Sequence, residues 1–513
     1  MRSIFRTRGA APLSPARRVL PHSTAAAVLL AGALAAAQPV APREGPLGIR
    51  EVPRYEPAEV IPGEYIVTFG NGIGGPILYG RSLDARLAAE AVRYSEAAER
   101  QLETRRDGSV IMYRYRAAIV GFAARLSGEA LREINRIPGV RIEPNRTVPP
   151  PRDGAASQPE VLPHLFAKMP APPPLPLTAP PSSSAPRGLD RIDRRLRPMD
   201  GVFRARFRGT NVHVYVIDTG IFAAHSQFAT PSGSRVLSEE GPGQGHNATK
   251  DGLGTRDCGD HGTGVASVIG GKSLGVAPDV IIHPVRVFPC SRTPSSVAVM
   301  FAGVDWVAED RKTRLTNVPV VVNISFMTLT GPKDALSTSL NNAVANSIKA
   351  GIPYVIAAGN ALPNKFAVDA CTVSPALVAD ALTVGNIKPE NDVRMMDSNF
   401  GPCLDLFAPG VQIPVALSGG INFTGDRDGT SYAAPHVTGV VALYLQKNPL
   451  AQPFEIRAAI LKAANVIPGT AGWFGIGNRG PGSPNVLLHW GCGSDDGVVD
   501  APLPTKAQPS PPC

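Results

Sequence analysis

The sequence predicts an α/β fold, a mostly parallel sheet covered by helices on both faces, preceded by a small α+β unit. Three observations carry this expectation. From residue 188 to 490, short unbroken apolar runs alternate with amphipathic stretches, the pattern of buried parallel strands joined by helices. Residues 63–148 hold two helical stretches and several strand-like ones in a much shorter span. Between these regions, residues 149–187 are too rich in proline and serine to build a core, and they read as a semi-extended linker.

The elements of the small unit follow in order. "GEYIVTF" reads as a strand that begins after Pro62-Gly63. The stretch from Ser82 to Arg106 has helical periodicity through Leu83, Leu87, Val92 and Leu102. "VIMYRYRAAIVGFAARL" reads as strand, turn and strand. A second helix begins at a Ser127 cap with Glu129 in its first turn, and "VRIEPNRTV" closes the unit as a strand.

In the larger region, "NVHVYVID", "VIIHPVRVF", "VPVVVNISF", "PYVIAAGN" and "ALTVGNI" read as strands. "HGTGVASVIGG", "SVAVMFAGVDWVAEDRK" and "ALSTSLNNAVANSIKAG" read as the helices between them. "DGTSYAAPHVTGVVALYL", residues 428–445, holds a further helix. Ala433 to Val437 read as its first turn, where a proline is tolerated, and Val437, Val440, Val441 and Tyr444 give it an apolar face. Ser431 then lies at the helix N-terminus, where unpaired N–H groups favour negative charge. Taken alone, a serine there is an ordinary cap.

Composition narrows the function classes. Residues 1–186 carry 23 Lys+Arg against 16 Asp+Glu, and residues 187–513 carry 28 against 26, so the net charge of +9 belongs mainly to the front of the chain. The larger region lacks the basic balance of a nucleic-acid binder, and no such partner is expected. Arg2, Arg6, Arg8, Arg17 and Arg18 precede the apolar "TAAAVLLAGALAAA", which is too short to span a bilayer and ends in small residues. Residues 1–37 therefore read as a signal peptide and 38–62 as a spacer, with no membrane-spanning segment after them. The expected location is outside the cytoplasm, secreted or periplasmic. All six cysteines (Cys258, Cys290, Cys371, Cys403, Cys492, Cys513) fall in the last half, and an even count in an exported chain favours disulfides, with the pairing left open.

Sites in parallel α/β sheets gather at the carboxyl ends of strands. Asp218 ends the strand "VYVID", Asn360 ends "YVIAAGN", His261 follows Asp260 at a helix start, and Ser431 starts another helix. Each residue has a plain structural role open to it: satisfying strand-end N–H groups, starting a helix, or occupying a turn. Together they supply what nucleophilic acyl transfer needs. That set is a hydroxyl, an imidazole to take its proton, a carboxylate to fix the imidazole tautomer, and an oxyanion donor. The order Asp, His, Ser along the chain is that of the subtilisin triad.

"VYVIDTGI", "HGTGVASVIGG", "VVNISF", "AAGN" and the Ser431 stretch resemble the signature segments of the subtilisin-like serine peptidases. "RGLDRID", "GVDWVA" and "SNFGPCLDLFAPG" are similar to the proteinase K and aqualysin branch. The resemblance implies a three-layer αβα domain at 188–490, an inhibitory propeptide at 63–148, and a tail at 491–513. It implies Asp218, His261 and Ser431 as the triad and Asn360 as oxyanion donor. Ser325, Phe326, Met327, Ala358 and Gly359 fall at its substrate-lining positions, and Cys258–Cys290 and Cys371–Cys403 at its disulfides. No catalytic cofactor is implied. A calcium ligand of the family falls on Lys388, whose ammonium opposes a cation, so the metal ligands stay unassigned. Where the family has a Leu-Gly-Gly wall beside the substrate, this chain has Phe326-Met327-Thr328, which predicts a narrowed pocket. The expected function is a secreted, self-processing serine endopeptidase. It would act as a monomer on proteins or peptides, with its own propeptide as inhibitor. The rival is a peptide-binding scaffold of the same fold that does not cut.

Overall fold

A computed structural model of the chain describes residues 59–70, 82–151, 184–195, 197–329, 338–361, 366–466 and 476–491. The chain divides into two units, Met1–Arg54 and Tyr55–Cys513, and every described residue belongs to the second. The leader expected over 1–37, most of the proline-rich linker, and Cys492 and Cys513 of the tail lie outside the described residues. Among the described residues no helix is long and apolar enough to cross a membrane.

The small unit runs β1 (Val60–Phe69), α1 (Ser82–Glu103), β2 (Val110–Tyr115), β3 (Gly121–Arg125), α2 (Gly128–Ile134) and β4 (Val140–Val148). Its antiparallel sheet has the order β4-β1-β3-β2. β1 begins at Val60, ahead of the expected start. The strand tolerates Pro62 and Gly63 because its register against β4 shifts between Val60 and Tyr65, and such irregularities accept both residues. The helix expected from the periodicity is present as α1, and of its periodic apolar residues Leu87 is 58% exposed. The buried face is carried by Ala91, Ala98 and Leu102, packed on Val67, Phe69 and Phe122. Ser127 caps α2 as expected, accepting from the Ala130 N–H at 3.1 Å.

The larger region continues with α3 (Arg187–Ile192), β5 (His213–Asp218), α4 (His261–Gly270), β6 (Ile281–Arg286), β7 (Ser295–Ser296) and α5 (Val297–Thr313). It goes on through β8 (Val320–Ile324), α6 (Thr338–Lys349), β9 (Tyr354–Ala357), β10 (Leu382–Lys388) and β11 (Leu406–Pro409). The hairpin of β12 (Ile413–Ala416) and β13 (Thr424–Arg427), then α7 (Thr430–Lys447) and α8 (Pro453–Ala463), complete it. The central strands pair in parallel in the order β11-β10-β9-β8-β5-β6. Alternate residues face opposite layers. Tyr215 and Ile217 of β5 pack with Phe301, Val304 and Val344 of α5 and α6, whereas Val214 and Val216 pack with Val265, Val437 and Val441 of α4 and α7. This is the three-layer arrangement expected from unbroken apolar strands. It brings the carboxyl ends of β5, β8 and β9 side by side.

The small unit docks on the α5 and α6 face. β4 pairs with β7, Val148 opposite Ser295 and Thr147 opposite Ser296, so one sheet continues from one region into the other. The Asp305 carboxylate of α5 accepts the N–H groups of Arg116, Ala117 and Ala118 at 2.9, 2.9 and 2.7 Å. Burial pushes that carboxyl up, and the N–H donors oppose the shift. Lys250, in the long segment between β5 and α4, donates to the Met112 carbonyl at 2.7 Å and sits 4.2 Å from the centre of the Tyr113 ring. The long segment between β5 and α4 therefore takes part in this contact. Asp305→Ala leaves three N–H groups without their acceptor and is expected to cost about 3 kcal/mol. Denaturant unfolding of the full chain checks it, and an unchanged midpoint would show that Asp305 does not hold the unit in place.

Candidate active site

Asp218 and His261 come together because α4 starts against the turn that follows β5. A Cβ on Gly262 would stand 2.2 Å from the Gly220 carbonyl oxygen, so this approach requires glycine. The result is a hydrogen bond of 2.7 Å between His261 Nδ1 and Asp218 Oδ1, with both side chains essentially inaccessible to water. Asp218 Oδ1 also accepts the Thr219 N–H at 2.7 Å. A carboxylate only accepts, so His261 donates from Nδ1 and keeps its lone pair on Nε2. The imidazole packs beside Tyr432, ring centres 5.7 Å apart.

Ser431 enters from α7. The helix begins at Thr430, earlier than the expected first turn of Ala433–Val437, so Pro435 stands in its second turn. Nor is Ser431 the cap. The cap position is Gly429, and the side-chain acceptor comes from the end of β9: Asn360 Oδ1 accepts the Thr430 N–H at 3.0 Å and the Thr430 hydroxyl at 3.2 Å. Asn360 is thereby fixed at the start of the helix that carries Ser431. The Ser431 hydroxyl donates to the Ser325 carbonyl at 3.1 Å. The structure thus brings Asp218 to His261, Asn360 to Thr430, and Ser325 to Ser431, all at adjacent strand ends.

The stretch 325–328 alternates as an extended strand does. Phe326 turns inward, its ring 5.7 Å from that of Phe288, and Thr328 is buried opposite Ser374. The expected contribution of Thr328 to the cleft wall is therefore corrected, because period-two alternation points it into the core. Met327 takes the other side. Its Sδ lies 2.3 Å from where a Cβ would stand on Gly359, a residue with φ +90°, and 4.0 Å from Asn399 Nδ2. Asn399 in turn donates to the Ala358 carbonyl at 2.9 Å. Cys258–Cys290 and Cys371–Cys403 are both bridged, and Lys388 ends β10. Among the described residues no three His, Cys, Asp or Glu side chains gather as a metal site.

Residues 209–491 match the subtilase family. The chain belongs to that family. Residues 64–150 of this subtilase match the peptidase inhibitor I9 family, so an inhibitor domain precedes the peptidase domain. The extracellular serine proteinase of Thermus sp. (strain Rt41A) is 42% identical to it over 309 residues, 60% of this chain and 66% of that protein. The alkaline serine exoprotease A of Vibrio alginolyticus is 39% identical over 317 residues, 61% of this chain and 52% of that protein. The chain thus spans just under two thirds of the first of these relatives and about half of the second. The crystal structure of a cold-adapted subtilisin-like serine proteinase is 36% identical, with a TM-score of 0.50, covering 60% of this chain and 98% of that one.

Sequence reasoning passed over one residue of the subtilase site. Asp257 lies buried between β5 and α4. It accepts from the Thr219 hydroxyl (2.8 Å), the Gly259 N–H (2.8 Å), the Thr263 N–H (2.8 Å) and the Thr263 hydroxyl (2.6 Å). Thr219 Oγ1 in turn accepts the Gly262 N–H at 2.9 Å. One carboxylate therefore ties the residue after Asp218 to the residues after His261. Burial pushes its carboxyl up, and the hydrogen bonds, that from Thr263 first, pull it down. Nothing in "RDCGDHGTG" distinguishes it from a turn aspartate. Asp257→Ala strands two N–H groups and two hydroxyls, and a loss of roughly 3 kcal/mol or more is expected. Thermal unfolding measures it, and a wild-type midpoint would contradict the bridging role.

Proposed function

We propose that the chain is a secreted serine endopeptidase, made as a zymogen whose inhibitor domain is released by self-cleavage. The observation that carries this reading is the buried Asp218–His261 hydrogen bond at the strand ends where the start of α7 presents Ser431. His261 Nε2 takes the proton of Ser431 Oγ as that oxygen attacks the peptide carbonyl. Asp218 holds the tautomer and offsets the imidazolium charge. The oxyanion is met by the Ser431 N–H and the Asn360 amide nitrogen. The imidazolium then protonates the leaving amine, and water, with His261 as base, hydrolyses the acyl-enzyme. For attack, the Ser431 hydroxyl leaves the Ser325 carbonyl on which it rests.

Every group in these steps belongs to the chain, so the chemistry needs no cofactor. The zymogen reading is supported by the I9 match and by the pairing of β4 with β7, which docks the inhibitor domain on the peptidase region. Cleavage is placed within 148–187. Export is supported by the leader over 1–37 and by a Thermus relative named extracellular. The substrates are proteins or peptides, and the processed enzyme acts as a monomer.

Two measurements test the reading. Intact mass of the purified protein is compared with that of Ser431→Ala. The wild type is expected to lose the residues between leader and peptidase domain and the variant to keep them. If both stay full length when folded, the non-cutting scaffold becomes the better reading. Met327, seated over Gly359, is proposed to restrict the residue before the cleaved bond to small side chains. Met327→Ala is expected to raise cleavage after phenylalanine relative to alanine by about ten-fold. An unchanged preference in kcat/KM would rule Met327 out as that restriction.

A further inference from the structure

The proline inside α7 deprives one helix carbonyl of its usual donor. In an α-helix the N–H of residue i+4 donates to the carbonyl of residue i, and proline has no N–H. Pro435 lies four residues after Ser431, so the carbonyl affected is that of Ser431 itself. Ser431 is only 5% exposed, and a buried carbonyl needs a partner from within the protein.

The end of β8 supplies one. The Ser325 hydroxyl donates to the Ser431 carbonyl at 3.0 Å. That hydroxyl is itself held. Asn323 Nδ2 donates to Ser325 Oγ at 2.9 Å, which leaves the single hydroxyl hydrogen for Ser431. Asn323 Oδ1 accepts from the Thr438 hydroxyl at 2.8 Å, and Thr438 stands two turns further along the same helix. The relay thus begins and ends on α7 and passes through β8, with Asn323, Ser325 and Thr438 all buried. The Ser431 hydroxyl returns a hydrogen bond to the Ser325 carbonyl, so the two residues are joined in both directions.

We propose that Ser325 is a positioning residue for Ser431: its hydroxyl replaces the helix hydrogen bond that Pro435 removes and sets the place of the first turn of α7. This rests on the reading of Ser431 as nucleophile. An uninterrupted helix would satisfy that carbonyl internally and leave it no bond to the end of β8. With proline at 435, the carbonyl is free to bond a strand end, and the sheet fixes the backbone of the residue that attacks. The Ser431 N–H, an oxyanion donor, moves with the same turn. Displacements of the order of 1 Å in such groups cost about a hundred-fold in rate. Ser325 thus acts through Ser431 rather than through contact with the substrate alone.

The test is a repair experiment on the processed protein. Turnover of a peptide substrate is measured per active serine, counted by a serine-directed organophosphorus fluoride, so that unfolded molecules drop out. Ser325→Ala is expected to lower kcat by about ten-fold or more. Adding Pro435→Ala supplies an N–H four residues beyond Ser431, and most of the lost kcat returns while KM keeps the Ser325→Ala value. In the background with Ser325 intact, Pro435→Ala gives no such gain. A wild-type kcat in Ser325→Ala, or a double variant no faster than Ser325→Ala, overturns the proposal. Should Ser325→Ala not fold, Asn323→Ala, which frees the Ser325 hydroxyl from its anchor, replaces it in the same comparison with the same two outcomes. Absence of hydrolysis by the wild type overturns the peptidase reading and this proposal with it. Hydrolysis by the wild type without repair overturns this proposal alone.

Discussion

A carboxylate with no exposure to water needs donors close by, and Asp218 Oδ1 receives both the Thr219 N–H and the His261 imidazole. Much of the local architecture follows from that demand. Burying an unpaired charge is costly, so β5 must end where the next turn offers an N–H and α4 must begin where its first residue reaches back. The glycine at 262 permits the approach, and Asp257 clamps the two segments through Thr219 and Thr263. The segment leading into α4 is anchored further back by Arg286, fully buried against Asp251, whose carboxyl it holds well below the usual carboxylate range. The histidine is therefore placed by a chain of polar contacts, each of which exists because the preceding group is buried.

The serine is placed by a different device. Helix α7 packs on the sheet and on α4 and α8, buried along most of its length, and its first turn is attached to two strand ends. Asn360 of one end receives the Thr430 N–H, and Ser325 of the other meets the Ser431 carbonyl. The two neighbouring parallel strands β8 and β9 thus each deliver a contact to the first turn of α7. The inhibitor domain completes the assembly from the opposite helical layer, where the Asp305 carboxylate collects three backbone N–H groups of one turn. Both halves use a carboxylate on a rigid element to organise backbone that the strands alone leave unpaired.

Much of this was legible in the sequence, and the rest was hidden for identifiable reasons. The parallel sheet could be read because β-branched runs such as "VHVYVID" have no polar face, and the strand-end positions of Asp218 and Asn360 followed. The sequence predicts a later start for α7 because proline most often stands in the first turn of a helix, whereas here a tertiary hydrogen bond from Ser325 removes the penalty of a later position. Leu87 shares the helical repeat of α1 yet stays exposed, because apolar spacing alone cannot tell which of two overlapping stripes meets the sheet. Position in the motif puts Thr328 at the cleft wall, but alternation along 325–328 sends it inward with Phe326. Asp257 was out of reach: its partners are local in sequence, but its burial depends on how β5 and α4 meet.

The central claim is that buried Asp218 holds His261 as the Nδ1–H tautomer, leaving Nε2 to take the proton of Ser431. Nitrogen NMR of the folded, full chain labelled with 15N-histidine tests it most directly. The spectrum is taken above neutral pH and the His261 signals are identified by their loss in His261→Ala. The account predicts a protonated Nδ1 and an unprotonated Nε2 at His261, with that preference lost in Asp218→Ala. A His261 ring protonated at Nε2 in the wild type, or a tautomer unchanged without Asp218, would contradict it.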